Sequence, residues 1–280
     1  MKFYKYWVRE NQREVDKDGK ALFLQILGRS NESLERARLQ AQERLAEIRK
    51  KIRRGESLRG GYSYGERMQC EQLIEEFTGE DGAMLAAVTR NRYHSLVLNT
   101  SDIVFADVDL PAKTIGQRLR SLFSKTKTRH EPQLKKIREY HRYHPSTVLR
   151  IYATRAGLRV LLLDRRARPG DPGVQEFFQA IDCDPVYIKL CRAQQSFRAR
   201  LTPKYWRCGA GLPPPGYPWS NAVDEKRFAE WLQDYERVCE QWSVCEYIET
   251  LGAPRIDREF EKIIALHDRY TVRKNVTKLA

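Results

Sequence analysis

The N-terminal third of the chain alternates between short apolar runs and polar breaks, and this pattern predicts its elements. Residues 2–9 and 21–27 are apolar stretches around a polar turn at 16–19, which predicts a β-hairpin. From Ser30 or Asn31, the expected N-cap, apolar residues recur every three or four positions, which predicts one long amphipathic helix. We therefore predict that residues 1–58 form a hairpin followed by this helix.

The middle of the chain mixes helical and strand patterns. Two apolar runs around Arg155-Ala156-Gly157 predict a hairpin, because glycine adopts turn conformations at little cost. Strands are also predicted at 83–90, 95–98, 103–109 and 196–201. Helices are predicted at 66–77, 113–123, 131–144, 170–180 and 186–194. Residues 59–208 are thus expected to form an α+β core.

A proline-rich segment at 209–218 separates this core from a C-terminal region with helical patterns at 224–239 and 257–270. The predicted fold class is α+β, with a mixed or antiparallel sheet core, flanking helices and a mainly helical C-terminal region at 209–280. No apolar run is long enough to cross a membrane, and the N-terminal apolar stretch is too short for a secretory signal, so a cytoplasmic protein without membrane partners is expected.

Two carboxylates at the end of the strand at 103–109 are the strongest candidate for chemistry. Because side chains alternate along a strand, Asp107 and Asp109 project from one face. Adjacent carboxylates at the end of a buried strand repel each other and lose hydration, so a divalent cation or arginines must compensate them. Mg²⁺ is typically held by one or two carboxylates together with substrate phosphates, which suits this pair.

Net charge of +14 and a pI near 9.6 favour a polyanionic partner, and nucleic acid is the leading candidate. The alternative is a basic surface that serves solubility alone. Residues 187–207 carry basic side chains and no acidic one. Within them, aromatic and cationic residues suited to bases and phosphates stand close together: Arg198, Arg200, Lys204, Tyr205, Trp206 and Arg207. These arginines could instead pair with acids elsewhere in the chain.

The order of these features resembles the archaeo-eukaryotic primase-polymerase superfamily. An apolar strand ending in Asp-x-Asp/Glu, that family's first motif, is matched by Asp107 and Asp109. Its second motif is a serine-containing glycine turn leading to a histidine. The corresponding residues run from Thr154 to Arg159, with threonine for serine and arginine for the histidine. The basic stretch beginning at Arg198 corresponds to a later strand that contacts nucleotide phosphates.

The resemblance implies nucleotidyl transfer to nucleic acid from a nucleoside triphosphate, assisted by Mg²⁺ or Mn²⁺ ions. It implies metal binding by Asp107, Asp109 and a third carboxylate, either Asp164 or Asp184, with Arg159 in the catalytic site. It also implies a set of residues that bind nucleotide or nucleic acid: Thr154, Arg155, Arg198, Arg200, Lys204 and Arg207.

Two other functions fit the same residues. A non-catalytic nucleic-acid-binding protein would use the basic surface without a metal, and the arginine in place of the second-motif histidine favours it. A glycosyltransferase would use Asp-x-Asp to hold a metal bound to a sugar nucleotide, although the high positive charge argues against it.

Overall fold

The computed structural model describes residues 1, 3–56, 58, 70–110, 129–253, 257–274, 276 and 278–280. Helices and strands alternate irregularly along this part of the chain, and all three of its sheets are antiparallel. The predicted α+β class is therefore confirmed. None of the helices in the described ranges is both long and apolar enough to span a membrane.

The N-terminal unit is a hairpin with a helix packed on it. Strands β1 (Tyr6–Val15) and β2 (Ala21–Ser30) pair in continuous register, and α1 (Leu34–Arg53) follows. The helix begins later than predicted, because Ser33 is the N-cap and its hydroxyl accepts a hydrogen bond from Arg36 N. At Gly28, an added Cβ would lie 1.9 Å from Ala37 O, so only glycine lets α1 approach this closely.

A four-stranded sheet lies next along the chain, with strand order β3-β4-β5-β9. Its strands are β3 (Gln72–Thr78), β4 (Met84–Arg90), β5 (Leu96–Thr100) and β9 (Phe197–Arg200). The predicted helix at 66–77 is wrong from residue 72 onward, where β3 forms the edge of the sheet. A register shift between Leu73 and Glu75 interrupts the two-residue alternation that would have identified this strand.

The second four-stranded sheet has the order β10-β7-β8-β6. It contains β6 (Val104–Asp109), the predicted hairpin of β7 (Leu149–Thr154) and β8 (Gly157–Leu162), and β10 (Cys245–Leu251). The C-terminal region is mainly helical as predicted, and it also supplies β10 to this sheet.

The remaining helices cover the sheets. They are α2 (Glu131–Tyr143), α3 (Pro172–Ala180), α4 (Pro185–Gln194), α5 (Tyr205–Cys208), α6 (Ala222–Cys239) and α7 (Arg258–Thr271). His267 of α7 packs its ring 4.9 Å from that of Tyr152 and 5.7 Å from that of Phe105, which places α7 on the face of the sheet that carries Asp107. The predicted helix at 113–123 lies outside the described residues.

Edge strands β6 and β9 bring the two four-stranded sheets together. The hydroxyl of Tyr187 donates a hydrogen bond to Phe105 O at 2.8 Å and accepts one from Arg198 N at 3.2 Å. Arg159 Nη1 donates to Arg200 O at 3.0 Å. Buried backbone groups at this junction are thus satisfied by side chains, and the end of β6 is fixed beside β9.

Candidate functional site

Three carboxylates meet where β6 ends. Asp107 and Asp109 stand opposite Arg159 and Gly157 in the β6–β8 ladder and share one face, as predicted. The backbone N–H of Asp184 donates a hydrogen bond to Asp107 O at 2.9 Å, so the start of α4 lies against the end of β6. The Asp184 carboxylate caps α4, accepting hydrogen bonds from the next helical N–H groups.

Asp164, which was predicted as the third metal ligand, is not part of this group. It lies beyond the far end of β8, five residues past Arg159, which corresponds to about 16 Å along a strand. Its carboxylate accepts a hydrogen bond from Val148 N. Asp184, the other candidate from the sequence, is the carboxylate that the fold places beside Asp107 and Asp109.

The electrostatic environment of Asp109 reflects this crowding. Partial burial raises the pKa of its carboxyl group, and the negative charges of Asp184 and Asp107 raise it further. Arg207 and Lys204 act in the opposite direction but do not outweigh these effects. A bound cation would relieve the repulsion among the three acids.

Arg159 occupies the position opposite Asp107, with only 2% of its side chain exposed. Its Nε donates to Asp107 Oδ1 at 3.0 Å, and its Nη1 approaches His267 Nε2 at 3.3 Å. Burial opposes the charged form of this guanidinium, but the charge and hydrogen bond of Asp107, together with Cys245 and Tyr187, outweigh that effect and raise the pKa of Arg159. Arg159 therefore compensates Asp107 and holds its Oδ1 in place.

A chain of hydrogen-bonded polar groups supports Arg159. Burial lowers the pKa of His267 to about 4, so the ring is neutral at pH 7. Its Nδ1–H donates to Asp268 Oδ1 at 2.9 Å, which leaves Nε2 to accept from Arg159. Asp268 also accepts from Tyr152 and Arg150. The sequence contained no signal for this arrangement, because Arg159 and His267 are 108 residues apart.

Arg200, Lys204 and Arg207 lie near the carboxylates, and Arg155 adjoins them by donating a hydrogen bond to Arg207 O at 3.3 Å. We call these four residues the cation cluster. Within the ranges that the structure describes, none of them forms an ion pair with a carboxylate. Burial, with the neighbouring charges of Arg159 and Arg207, lowers the pKa of Arg200 to about 10. Its Nε is buried without a hydrogen-bond partner among these residues. Phosphate oxygens would satisfy such donors and relieve their mutual repulsion.

Two other predicted ligand-binding residues have partners inside the fold. Arg198 shares a strand face with Arg200, but its guanidinium pairs with the buried carboxylate of Glu71 at 2.7 Å. The hydroxyl of Thr154 accepts a hydrogen bond from Gly157 N at 3.0 Å and closes the β7–β8 turn. Both side chains therefore contribute to the scaffold of the site.

Aromatic side chains stand beside the cation cluster. Lys204 Nζ lies 5.5 Å from the ring centre of Tyr93 and 5.3 Å from that of Trp206. The two rings meet edge to face at 5.4 Å. The sequence pointed to Trp206 through its basic neighbours, whereas Tyr93, more than one hundred residues earlier, was not identified.

The donor set at the end of β6 fits a hard divalent cation. Asp107 Oδ2 and both oxygens of Asp109 accept no hydrogen bond from other residues in the described ranges. Two carboxylates with phosphate and water completing the shell are a usual Mg²⁺ environment. Among the described residues, no group of three or more His, Cys, Asp or Glu side chains is arranged to hold a metal ion.

Comparison with known proteins gave no relatives: no family model, no curated protein and no solved structure matches this chain.

Proposed function

We propose that this protein is a primase-polymerase-like nucleotidyltransferase of the cytoplasm that uses Mg²⁺ or Mn²⁺, a nucleoside triphosphate and a nucleic acid. One observation carries the proposal: Asp107 and Asp109, with Asp184 beside them, lie near three cations that have no carboxylate partner in the described part of the chain, Arg200, Lys204 and Arg207. Acids that suit a divalent ion and cations that suit phosphates are the two components a metal–triphosphate complex requires.

Each group has a distinct role in this proposal. Asp107 and Asp109 would hold the metal, which when bound stabilises charge on the attacking and leaving oxygens. Arg159 fixes Asp107 through its Oδ1 and leaves Oδ2 for the ion. Arg200, Lys204 and Arg207 would bind the phosphates of the triphosphate or of the strand. Asp184, whose oxygens cap α4, adds negative charge to the site.

The Asp109→Asn variant tests the proposal. Asp109 is exposed as a residue, although neighbouring groups partly shield its carboxyl group, and it forms no ion pair within the described ranges, so we expect this change to preserve the fold. The assay is incorporation of a labelled nucleotide, with a primed template and on single strands alone, in Mg²⁺ or Mn²⁺. We expect incorporation by the wild type and a loss of at least about 100-fold in the variant, as when charge stabilisation is removed from a transition state.

The matched control is Asp234→Asn, which removes an exposed carboxylate of α6 that pairs with Arg237. Activity of this control should equal that of the wild type. Equal incorporation by the wild type and Asp109→Asn, or no incorporation by the wild type with either metal, would reject the proposed function.

The buried Asp107–Arg159 pair favours a second candidate, a non-catalytic nucleic-acid-binding protein. Arg159 already compensates one of the two strand carboxylates, so the fold does not require a metal there. This candidate is supported if the wild type shows no transfer yet binds nucleic acid in EDTA, with an affinity that falls steeply as salt rises.

A further inference from the structure

Trp206 differs from the other tryptophans of this protein in its exposure to solvent. All five tryptophans lie in the described part of the chain, and Trp206 is the one that is exposed, at 49%. It follows Lys204, whose ammonium lies over the rings of both Trp206 and Tyr93. We call Tyr93, Lys204 and Trp206 the aromatic rim. Its rings are positioned by packing against each other and by α5, and one large ring remains open to solvent.

Charge makes a nucleic acid the complementary occupant of the aromatic rim. Arg207 follows Trp206 in the same helical turn, and its guanidinium lies close enough to Asp109 to affect the pKa of that carboxyl group. The pKa of Lys204 is lowered by burial and by Arg200 and Arg207, so further negative charge is favoured there. An aromatic plane beside cations is the combination that binds a strand, because the ring stacks on a base while the cations contact its phosphates.

We propose that the aromatic rim and the cation cluster bind single-stranded nucleic acid, with an unpaired base stacked on Trp206 and adjacent phosphates held by Lys204 and Arg207. The inference rests on the proposed function, because it assigns the strand that the carboxylate site would act on. A single strand is favoured over a duplex, because bases inside a duplex already stack on each other and do not present a face to a side chain.

The test measures fluorescence anisotropy in EDTA at low salt with four labelled ligands: an oligo-dT 12-mer, a 12-mer of abasic sites, a duplex that contains the same oligo-dT, and a free nucleoside triphosphate. Trp206→Ala should weaken binding of oligo-dT at least about fivefold, the lower end of the effect of removing one stacking ring. Trp206→Leu, which keeps apolar bulk without an aromatic plane, should show the same loss. Trp206→Phe should retain most of the wild-type affinity. All four proteins should bind the abasic strand equally.

Tyr143→Ala is the matched control. Tyr143 is also an exposed aromatic residue, 69% exposed, with the guanidinium of Arg142 5.1 Å from its ring centre, but it lies on α2. This variant should bind oligo-dT as the wild type does. Thermal unfolding followed by circular dichroism verifies that each variant is folded.

Several results would overturn the inference. They are wild-type affinity of Trp206→Ala or Trp206→Leu for oligo-dT, an equal loss for the abasic strand, tighter binding of a duplex than of oligo-dT, and a loss confined to a free nucleoside triphosphate. Because no metal is present, this binding test is independent of transfer activity. Trp206-dependent binding by a protein without transfer activity would reject the proposed function and leave the strand site standing.

Discussion

Replacing Asp107 tests whether its carboxylate is a structural partner of Arg159 as well as a site residue. The perturbation is Asp107→Ala, compared with Asp109→Ala two positions along the same strand and on the same face. Asp107 pairs with a guanidinium that is 2% exposed, whereas Asp109 has no ion pair in the described ranges. The two variants remove the same group from very different surroundings.

The expected loss of stability in Asp107→Ala depends on the hydrogen-bond acceptors that Arg159 retains. In Asp107→Ala the guanidinium keeps three neutral acceptors, Arg200 O, His267 Nε2 and Cys245 Sγ, but loses its only carboxylate partner within the described ranges. Breaking a buried ion pair costs about 3–5 kcal/mol. Because the Asp107 side chain is 37% exposed and water can reach the gap, the low end applies, and we expect a loss of about 3 kcal/mol. Asp109→Ala should change stability by less than about 0.5 kcal/mol.

Urea unfolding at pH 7 without divalent ions, followed by circular dichroism, measures both free energies of unfolding. The single variant Arg159→Met and the double variant Asp107→Ala/Arg159→Met complete a double-mutant cycle, for which we expect a coupling energy of roughly 2 kcal/mol. If the free energies of unfolding of Asp107→Ala and Asp109→Ala differ by less than about 1 kcal/mol, the Asp107–Arg159 pair does not hold the end of β6 as described.

Two further predictions concern the other charged groups. Arg207→Ala should weaken nucleic-acid binding, measured by anisotropy, and reduce the slope of the logarithm of the binding constant against the logarithm of salt concentration by about one, with little change in stability. Arg198→Ala should instead lower the free energy of unfolding, measured in urea, by about 3 kcal/mol, because it leaves Glu71 buried and unpaired. The opposite pattern would assign the phosphate contact to Arg198. The pKa of His267 is lowered to about 4 from 6.5, so the unfolded chain binds the proton more tightly and the free energy of unfolding should fall as pH drops from 6.5 towards 4. His267→Asn should have a shallower slope in this range, and an unchanged slope would show that His267 is not buried as a neutral ring.

The local pattern of apolar and polar residues was sufficient to predict many of the helices and strands. The β7–β8 hairpin was predicted because its apolar runs and small-residue turn lie within fourteen consecutive residues, 149–162. Helices α2, α3 and α4 were predicted from local patterns at 131–144, 170–180 and 186–194. Strand β3 was missed because its bulges disturb the alternation and because pairing with β4, rather than its own pattern, stabilises it.

For the candidate site, the sequence determined which residues share a face, and it thereby identified Asp107 with Asp109 and Arg198 with Arg200. Strand geometry makes this a local property, since side chains alternate whatever the rest of the fold does. Only the tertiary structure decided what faces each of them. It paired Arg198 with Glu71, placed Asp184 rather than Asp164 beside the acids, and set Arg159 against Asp107 and His267. Those contacts join residues far apart in the chain, and they depend on which strands pair and which helices pack on them, which no local pattern specifies.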